Sequence, residues 1–153
     1  MEVYRIVLAK YVSELKASGR AARWNSNDVN VIYTSASQAL ACLENVVHRS
    51  SLGLNALFKV MSIEIPAELD VETIAIEELP ENWKSFESLY KTQQMGDKWA
   101  RSLTSPILKV PSSIIPTEFN FLINPLHPDF KLIKLLKSDA FVLDMRIKDK
   151  YYD

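Results

Sequence analysis

Apolar and polar residues alternate in several short segments of the chain, and this pattern predicts a protein rich in short strands. In residues 2–8 both alternating faces are largely apolar, as in a strand covered on both sides, and Arg5 interrupts one of them. Residues 30–34 form a second predicted strand. Further strands are predicted at 56–65, 73–77, 105–110, 119–123, 132–136 and 140–144.

A helical period of apolar residues appears in three segments, and the strongest lies between the second and third predicted strands. Ser35 and Gln38 have the spacing of a capping box, and the apolar stripe that follows predicts a helix over 37–48. Weaker patterns predict helices over 10–17 and 92–101. Strands and helices that are segregated along the chain in this way predict an α+β fold rather than alternating βαβ units.

The third helix contains Gly96 between Met95 and Trp99, which predicts close packing at the glycine. Long helices are excluded after this point, because proline removes a backbone donor and clashes with the preceding turn. The prolines concerned are Pro106, Pro111, Pro116, Pro125 and Pro128.

The composition is that of an ordinary globular protein, with 153 residues, 48% of them apolar and 24% charged. This length predicts one domain over 1–153 that buries a core without help from a metal or a disulfide. Cys42 is the single cysteine, so an internal disulfide is excluded and a packed side chain is expected. Three glycines do not supply a dinucleotide-binding or phosphate-binding loop motif.

Charge and metal-ligand content exclude further classes of function. Eighteen basic and nineteen acidic residues give a net charge of −1, so direct binding of nucleic acid is not expected. One cysteine and two histidines without ligand spacing predict no metal site. The sequence shows neither an apolar stretch of the ~18 residues that a membrane span needs nor a signal-peptide pattern, and we expect a cytoplasmic protein without membrane contact.

Two charged residues occupy positions where apolar residues are expected. Arg5 lies in the middle of an apolar strand, where a guanidinium must be paired with a carboxylate or must bind an anion. Glu44 lies at the edge of the helical apolar stripe and is expected to be partly buried, with Asn45 on the solvent side. Glu44 either forms a salt bridge with Arg5 or Arg23 or lines a pocket.

Other polar residues lie near predicted strand ends. Arg23, Trp24 and Asn25 follow one another in a polar loop, which offers an anion grip beside a flat apolar surface. Tyr33 lies close to the junction of strand and helix, and is either a core residue or part of the same cavity as Glu44. Ser112 follows a strand end without a nucleophile-elbow motif, which favours a hydrogen-bonding role.

A loop with two prolines holds Asn124 and His127 at a fixed separation. His127 either caps this loop or takes part in catalysis, and the first is the more common role of a loop histidine.

These motifs together resemble the RES domain family, named for its arginine, glutamate and serine. The resemblance runs in order over residues 3–146. The matching segments are Tyr4-Arg5-Ile6, Arg23-Trp24-Asn25, Val31-Ile32-Tyr33-Thr34-Ser35, Leu43-Glu44-Asn45-Val46-Val47-His48, Met95-Gly96-Asp97-Lys98-Trp99, Val110-Pro111-Ser112 and Asn120-Phe121-Leu122-Ile123-Asn124-Pro125-Leu126-His127-Pro128.

The resemblance implies a toxin of a type II toxin–antitoxin pair that degrades NAD. It implies a fold similar to that of ADP-ribosyltransferases, with a mixed, split β-sheet and a few flanking helices. The partner it implies is an Xre-type antitoxin with a helix-turn-helix, and a homodimer within the complex is also expected. NAD is then a substrate rather than a resident cofactor. The implied catalytic residues are Arg5, Arg23, Tyr33, Glu44 and Ser112, and the residues expected to contact NAD are Arg5, Arg23, Asn25, Tyr33 and Asn124.

The loop around Arg23 departs from the family pattern, which has glycines before and after Arg-Trp. Ala21 and Ala22 precede Arg23 here, and no glycine follows Asn25 closely. Asn27 or Asp28 is expected to take the left-handed conformation that glycine would have used.

The resemblance implies that Glu44 stabilises a ribosyl cation and orients an attacking water or phosphate. Arg5 and Arg23 would hold the phosphates and Tyr33 would stack on nicotinamide, while Ser112 would position either the ribose or Glu44. Two alternatives remain open from the sequence, which are ADP-ribosyl transfer to a protein and a non-catalytic binding module.

Overall fold

The computed structural model describes residues 1–48 and 57–147, and within them seven strands form one mixed sheet flanked by two helices. The order of the strands in the sheet is β4-β5-β6-β2-β1-β3-β7, and the β4–β5 pair is parallel while the others are antiparallel. The elements are β1 (Glu2–Leu8), β2 (Ile32–Ser35), α1 (Gln38–His48), β3 (Phe58–Glu64), β4 (Val71–Thr73), α2 (Leu89–Ser102), β5 (Ile107–Pro111), β6 (Phe119–Ile123) and β7 (Lys134–Phe141).

The sheet is split at its centre, between β1 and β2. Neighbouring strands elsewhere pair over several residues, whereas β1 and β2 pair only at Tyr4 and Ser35. The sheet is therefore divided into a β4-β5-β6-β2 half and a β1-β3-β7 half, which confirms the predicted split sheet.

Both faces of the sheet are covered, because the strands carry apolar residues on both sides. We call the side that packs against α1 and α2 the helix face; Leu108, Leu122 and Ile6 lie on it. On the other side, Ile107, Ile123 and other buried residues pack against loops. Cys42 packs against the helix-face core, as expected, and burial raises the pKa of its thiol.

Helix α2 packs against the backbone of the loop that carries Arg23. A Cβ atom added to Gly96 would lie 1.8 Å from the Trp24 carbonyl oxygen. The predicted close packing at this glycine is confirmed, and Trp24 and Trp99 are buried in the same core cluster.

Several predicted elements agree with the structure. The strand predictions at 2–8 and 119–123 match β1 and β6, and the helix predictions at 37–48 and 92–101 match α1 and α2. The third predicted strand, 56–65, matches β3, with Ala56 outside the described residues.

Other predicted elements are wrong. Residues 10–17 do not form a helix, because Val12, Leu15 and Ala17 pack against the loop-covered face and override a weak helical pattern. The predicted strands at 132–136 and 140–144 are replaced by the continuous strand β7, which pairs with β3 through a register shift.

The prediction at 73–77 is also wrong, because β4 ends at Thr73 and a 3-10 turn, Ile76–Glu78, follows. The capping box at Ser35 does not form either. Ser37 instead accepts a hydrogen bond from the Leu40 amide, while Ser35 belongs to β2.

We expect Gly96→Ala to destabilise the protein by about 1–3 kcal/mol, because its methyl group would clash with the Trp24 carbonyl. Gln94→Ala, at an exposed position of the same helix, is the control and should change stability by less than ~0.5 kcal/mol. Urea unfolding of the three proteins measures the difference. Equal stabilities would show that the loop and α2 do not pack as described.

Candidate active site

A cavity of about 420 Å³ opens where β1 and β2 separate. Its walls come from β1, the loop 21–24, β2 and α1, with contributions from Ser113 and Asn120. Of the residues expected to be functional, the structure brings Arg5, Arg23, Tyr33 and Glu44 to this cavity.

Glu44 is held over the sheet by two hydrogen bonds to the same carboxylate oxygen. The Ser112 hydroxyl donates to Glu44 Oε1 at 2.8 Å, and the Asn120 amide nitrogen donates to it at 2.6 Å. As predicted, the Glu44 side chain is partly buried. Hydrogen bonds to the charged form of a carboxyl group favour that form, so this arrangement suits an ionised Glu44.

Ser112 is fully buried, and its hydroxyl has one direction in which to donate. Its oxygen accepts hydrogen bonds from the amides of Ile114 and Ile115, at 3.1 and 3.2 Å. The hydroxyl proton is therefore directed toward Glu44. Of the two roles expected for Ser112, the contacts favour positioning Glu44 over contacting the ribose, because Ser113 lines the cavity in its place.

Arg23 lies at the cavity wall and is fixed by backbone carbonyls. Its guanidinium donates to the carbonyl oxygens of Trp83 and Lys84, at 2.8 and 3.0 Å, and lies 5.7 Å from the centre of the Trp83 indole. Burial lowers the pKa of Arg23, while the negative charge of Glu44 acts in the opposite direction. The buried Nε of Arg23 has no hydrogen-bond partner within the described residues.

Both tryptophans near Arg23 are buried in the helix-face core, and of the two it is Trp24 that lines the cavity. The ring centre of Trp24 lies 6.1 Å from that of Trp83.

The loop that carries Arg23 is attached to α2 through its backbone. Thr92 donates to the Arg23 carbonyl oxygen at 2.6 Å, and Gln93 donates to the Ala22 carbonyl oxygen at 2.9 Å. These contacts lie on the same helix as Gly96 and hold the loop against its surface. The position of Arg23 thus depends on a helix that follows it by about 70 residues.

The other end of this loop is attached to α2 by a carboxylate. Asp97 is buried and accepts hydrogen bonds from the amide and the hydroxyl of Ser26. Asp28 has a φ of 68°, which confirms the prediction that Asn27 or Asp28 replaces a glycine in the left-handed region. The loop thus closes without the family glycines.

Tyr33 is held by the Arg23 loop through its hydroxyl group. The hydroxyl donates to Asn25 Oδ1 at 2.6 Å and accepts from the Trp24 amide at 3.1 Å. Burial is the main cause that raises the pKa of the Tyr33 phenol, so Tyr33 remains protonated at neutral pH. Its position in the wall leaves the ring as the part that a ligand can contact.

Asn25 has a structural role. It is 1% exposed, and its amide nitrogen donates to the carbonyl oxygens of Arg20, Ser26 and Val29. Both ends of the side chain are used inside the loop, so the expected contact between Asn25 and NAD has no support in this geometry.

Arg5 projects from β1 at the split and donates to the Lys16 carbonyl oxygen at 2.8 Å. Burial lowers its pKa. In the part of the chain that the structure describes, this carbonyl is its hydrogen-bond partner. Arg5 shares a strand face with Val3 and Val7, which pack on the loop-covered side of the sheet, whereas Ile6 faces α1, so Arg5 borders the cavity from the opposite side of the sheet.

Asn124 and His127 lie away from this cavity. Asn124 is buried, donates to the Ala100 carbonyl oxygen at 2.8 Å and accepts from the Leu126 amide at 3.0 Å. The structure thus separates Asn124 from the other residues expected to contact NAD. His127 accepts from the Asp129 amide at 3.1 Å, which confirms the loop-capping alternative.

Two residues lie in the site although the sequence patterns did not place them there. Asn120 donates to Glu44 and accepts a hydrogen bond from Ser35 at 2.7 Å. One signal in the sequence could have found Asn120. It is a polar residue two positions before Leu122, and side chains two apart on a strand point to the same face. Asn45 is also misplaced by the helical wheel, because it lines the cavity and donates to the Ile6 carbonyl oxygen.

Over residues 1–48 and 57–147, no helix has the length and apolar character needed to cross a membrane. The same residues contain no group of three or more His, Cys, Asp or Glu side chains arranged to hold a metal ion.

Comparisons with known proteins agree on one family. The family model described as RES domain matches residues 2–144. The Prs ADP-ribosylating toxin of Sphingobium sp. (strain YBL2) is 40% identical over 127 residues, which cover 82% of this chain and 79% of that protein. Toxin Res of Yersinia enterocolitica serotype O:8 / biotype 1B is 32% identical over 153 residues, covering 97% of this chain and 100% of its own length.

A solved structure shows the same fold. The M. tuberculosis MbcT–MbcA toxin–antitoxin complex contains a chain that superimposes with a TM-score of 0.72 at 16% identity, covering 92% of this chain and 84% of that chain. The identity is low enough that this similarity concerns the fold.

We expect Ser112→Ala to destabilise the protein by about 1–3 kcal/mol, because it leaves two part-buried amides without an acceptor and removes one of the hydrogen bonds to the Glu44 carboxylate. Ser113→Ala, at the partly buried neighbouring position, is the control and should cost less than ~0.5 kcal/mol. Denaturant unfolding at neutral pH compares the two variants. A larger loss for the Ser113 variant would contradict the hydrogen bonds described.

Proposed function

Because this chain belongs to the RES domain family, we propose that it is the toxin of a toxin–antitoxin pair and that it degrades NAD by cleaving the nicotinamide–ribose bond. The observation that carries the proposal is the carboxylate of Glu44. It is oriented by Ser112 and Asn120 in a cavity that also presents two arginines and an aromatic ring.

The reaction requires negative charge beside the anomeric carbon. When the bond between this carbon and the nicotinamide nitrogen breaks, the electron pair leaves with nicotinamide, which departs neutral and needs no strong acid. The ribosyl group passes through a state resembling the oxocarbenium ion of glycosidases. In our proposal the Glu44 carboxylate stabilises this positive charge, and its fixed orientation makes the stabilisation effective.

The remaining residues of the cavity bind and orient NAD. Arg5 and Arg23 hold the pyrophosphate through N–H groups that the backbone carbonyls leave available. The ring of Tyr33 stacks on nicotinamide while its hydroxyl remains bonded to the Arg23 loop. Positioning of the substrate thus depends on the attachment of this loop to α2.

The acceptor of the ribosyl group is water or phosphate. Attack of water at the anomeric carbon, with loss of one proton, gives ADP-ribose, and attack of phosphate gives its 1″-phosphate ester. Either nucleophile approaches the same carbon. Glu44 orients the attacking oxygen in both cases.

Glu44→Gln should lower the rate of NAD consumption by a factor on the order of 100 to 1000, because the stabilising charge is removed. The glutamine amide oxygen still accepts the hydrogen bonds from Ser112 and Asn120, so the fold should be retained. The measurement is NAD loss by the purified chain, with and without inorganic phosphate, and identification of the ribosyl product.

Glu68→Gln, which neutralises an exposed carboxylate, is the control and should leave the rate unchanged. Equal rates for the parent and Glu44→Gln would contradict the role of Glu44. A parent protein that consumes no NAD, either alone or with candidate acceptor proteins, would instead favour a non-catalytic binding module.

A second candidate function is ADP-ribosyl transfer to a protein. The relative at 40% identity is named as an ADP-ribosylating toxin, and the same site would serve a side-chain nucleophile. Incubation with labelled NAD and candidate proteins, followed by mass spectrometry, should show free ribosyl product and unmodified protein if water or phosphate is the acceptor. Transfer of the label to a protein side chain would favour the second candidate.

A protein that depletes NAD requires a neutralising partner, and our proposal includes an antitoxin of the Xre type that blocks the cavity. The solved complex with a similar fold pairs a toxin with an antitoxin, which supports a partner of this kind. A toxin homodimer within the complex and a cytoplasmic location stay predictions.

A further inference from the structure

Hydrogen bonds between three side chains link β2 to the Glu44 carboxylate on α1. Ser35 Oγ donates to Asn120 Oδ1 at 2.7 Å, and Asn120 Nδ2 donates to Glu44 Oε1 at 2.6 Å. Asn120 is 9% exposed. We infer that Asn120, oriented by Ser35, is a positioning residue that holds the Glu44 carboxylate in its charged form and in its catalytic orientation. The catalytic part of this inference rests on the proposed function.

The backbone of Asn120 is fixed from both sides. In the sheet register Asn120 pairs with Ser35 of β2 and with Val110 of β5, so it lies in an interior strand. A side chain on such a strand is held more precisely than one on a loop. The amide therefore approaches Glu44 from a rigid position on the helix face.

The direction of the amide is determined by its two neighbours. An amide turned the other way would place its oxygen against the carboxylate oxygen of Glu44, and two acceptors would then face each other. With the nitrogen toward Glu44, the amide oxygen accepts the Ser35 proton. The Glu44 carboxylate, which can only accept, thus selects the orientation in which Asn120 donates to it, and the Ser35 hydroxyl holds the amide in that orientation by donating to its oxygen.

Asn120 and Ser112 act on the same oxygen, from β6 and from the end of β5. Two donors on one carboxylate oxygen restrict its rotation and favour its ionised form. Arg23 adds a positive charge whose interaction with Glu44 is favourable. Removing Asn120 therefore leaves Glu44 with less restraint and with a weaker preference for the charged form.

The first test is the pH dependence of NAD cleavage. Asn120→Ala should lower kcat on the order of 10- to 100-fold with KM changed less than about threefold, because the lost hydrogen bond acts through Glu44. Asn120→Asp places a second carboxylate beside Glu44. The acid limb of its pH–rate profile should therefore move to higher pH by about one unit or more.

Ser35→Ala tests the orienting step while leaving the Asn120 amide in place. Its kcat should fall, by less than that of Asn120→Ala, and this variant carries the test if Asn120→Ala does not fold. Loss of activity without any shift of the acid limb in Asn120→Asp would reduce Asn120 to a structural residue. A rise in KM alone would place Asn120 against the substrate, and either result overturns the inference.

A second test does not depend on NAD. Asn120→Ala should change the unfolding equilibrium constant about tenfold more in the parent than in a Glu44→Ala background, because the interaction is absent from the latter. A parent that cleaves no NAD but shows this coupling would refute the proposed function and support the link between Asn120 and Glu44. Equal changes in both backgrounds would refute that link even in an active enzyme.

Discussion

The separation of β1 from β2 is the constraint on which the site depends. Two neighbouring strands that pair at one residue pair leave a gap in the middle of an otherwise continuous sheet. The gap is covered on the helix face by α1 and by the Arg23 loop, and the cavity lies beneath this cover. A fully paired sheet would fill the same space with strand contacts and leave no cavity.

The side chains around this gap are held by two separate supports. The first support is the sheet half that contains β5, β6 and β2. Ser112 and Asn120 donate hydrogen bonds to Glu44 from this half, and Ser35 donates to Asn120. Helix α2 supplies the contacts that fix the loop of Arg23. Preorganised charges of this kind need little rearrangement during a reaction, which is why their support matters as much as their identity.

The sequence was sufficient to predict the elements that have strong local patterns. It was also sufficient to identify charged residues that lie at positions where apolar residues are expected. The strand at 2–8 and the partly buried carboxylate on α1 follow from such patterns. The predicted helix at 10–17 is wrong because tertiary packing overrides a weak periodicity. Asn25 was expected to contact NAD because it follows Arg23 and Trp24 in the sequence. Asn120 was not singled out because its contacts arise from a pairing between distant strands.

The order of the chain delays assembly of the site during synthesis. Glu44 is made early, but Asn120 lies 76 residues further along and Ser112 lies 68 residues further along. A growing chain on the ribosome therefore lacks these two hydrogen bonds to Glu44 until the sixth strand has emerged and paired. Incomplete chains that end before this strand lack the two hydrogen bonds that orient Glu44, so the arrangement of the site is complete only after most of the chain has been made.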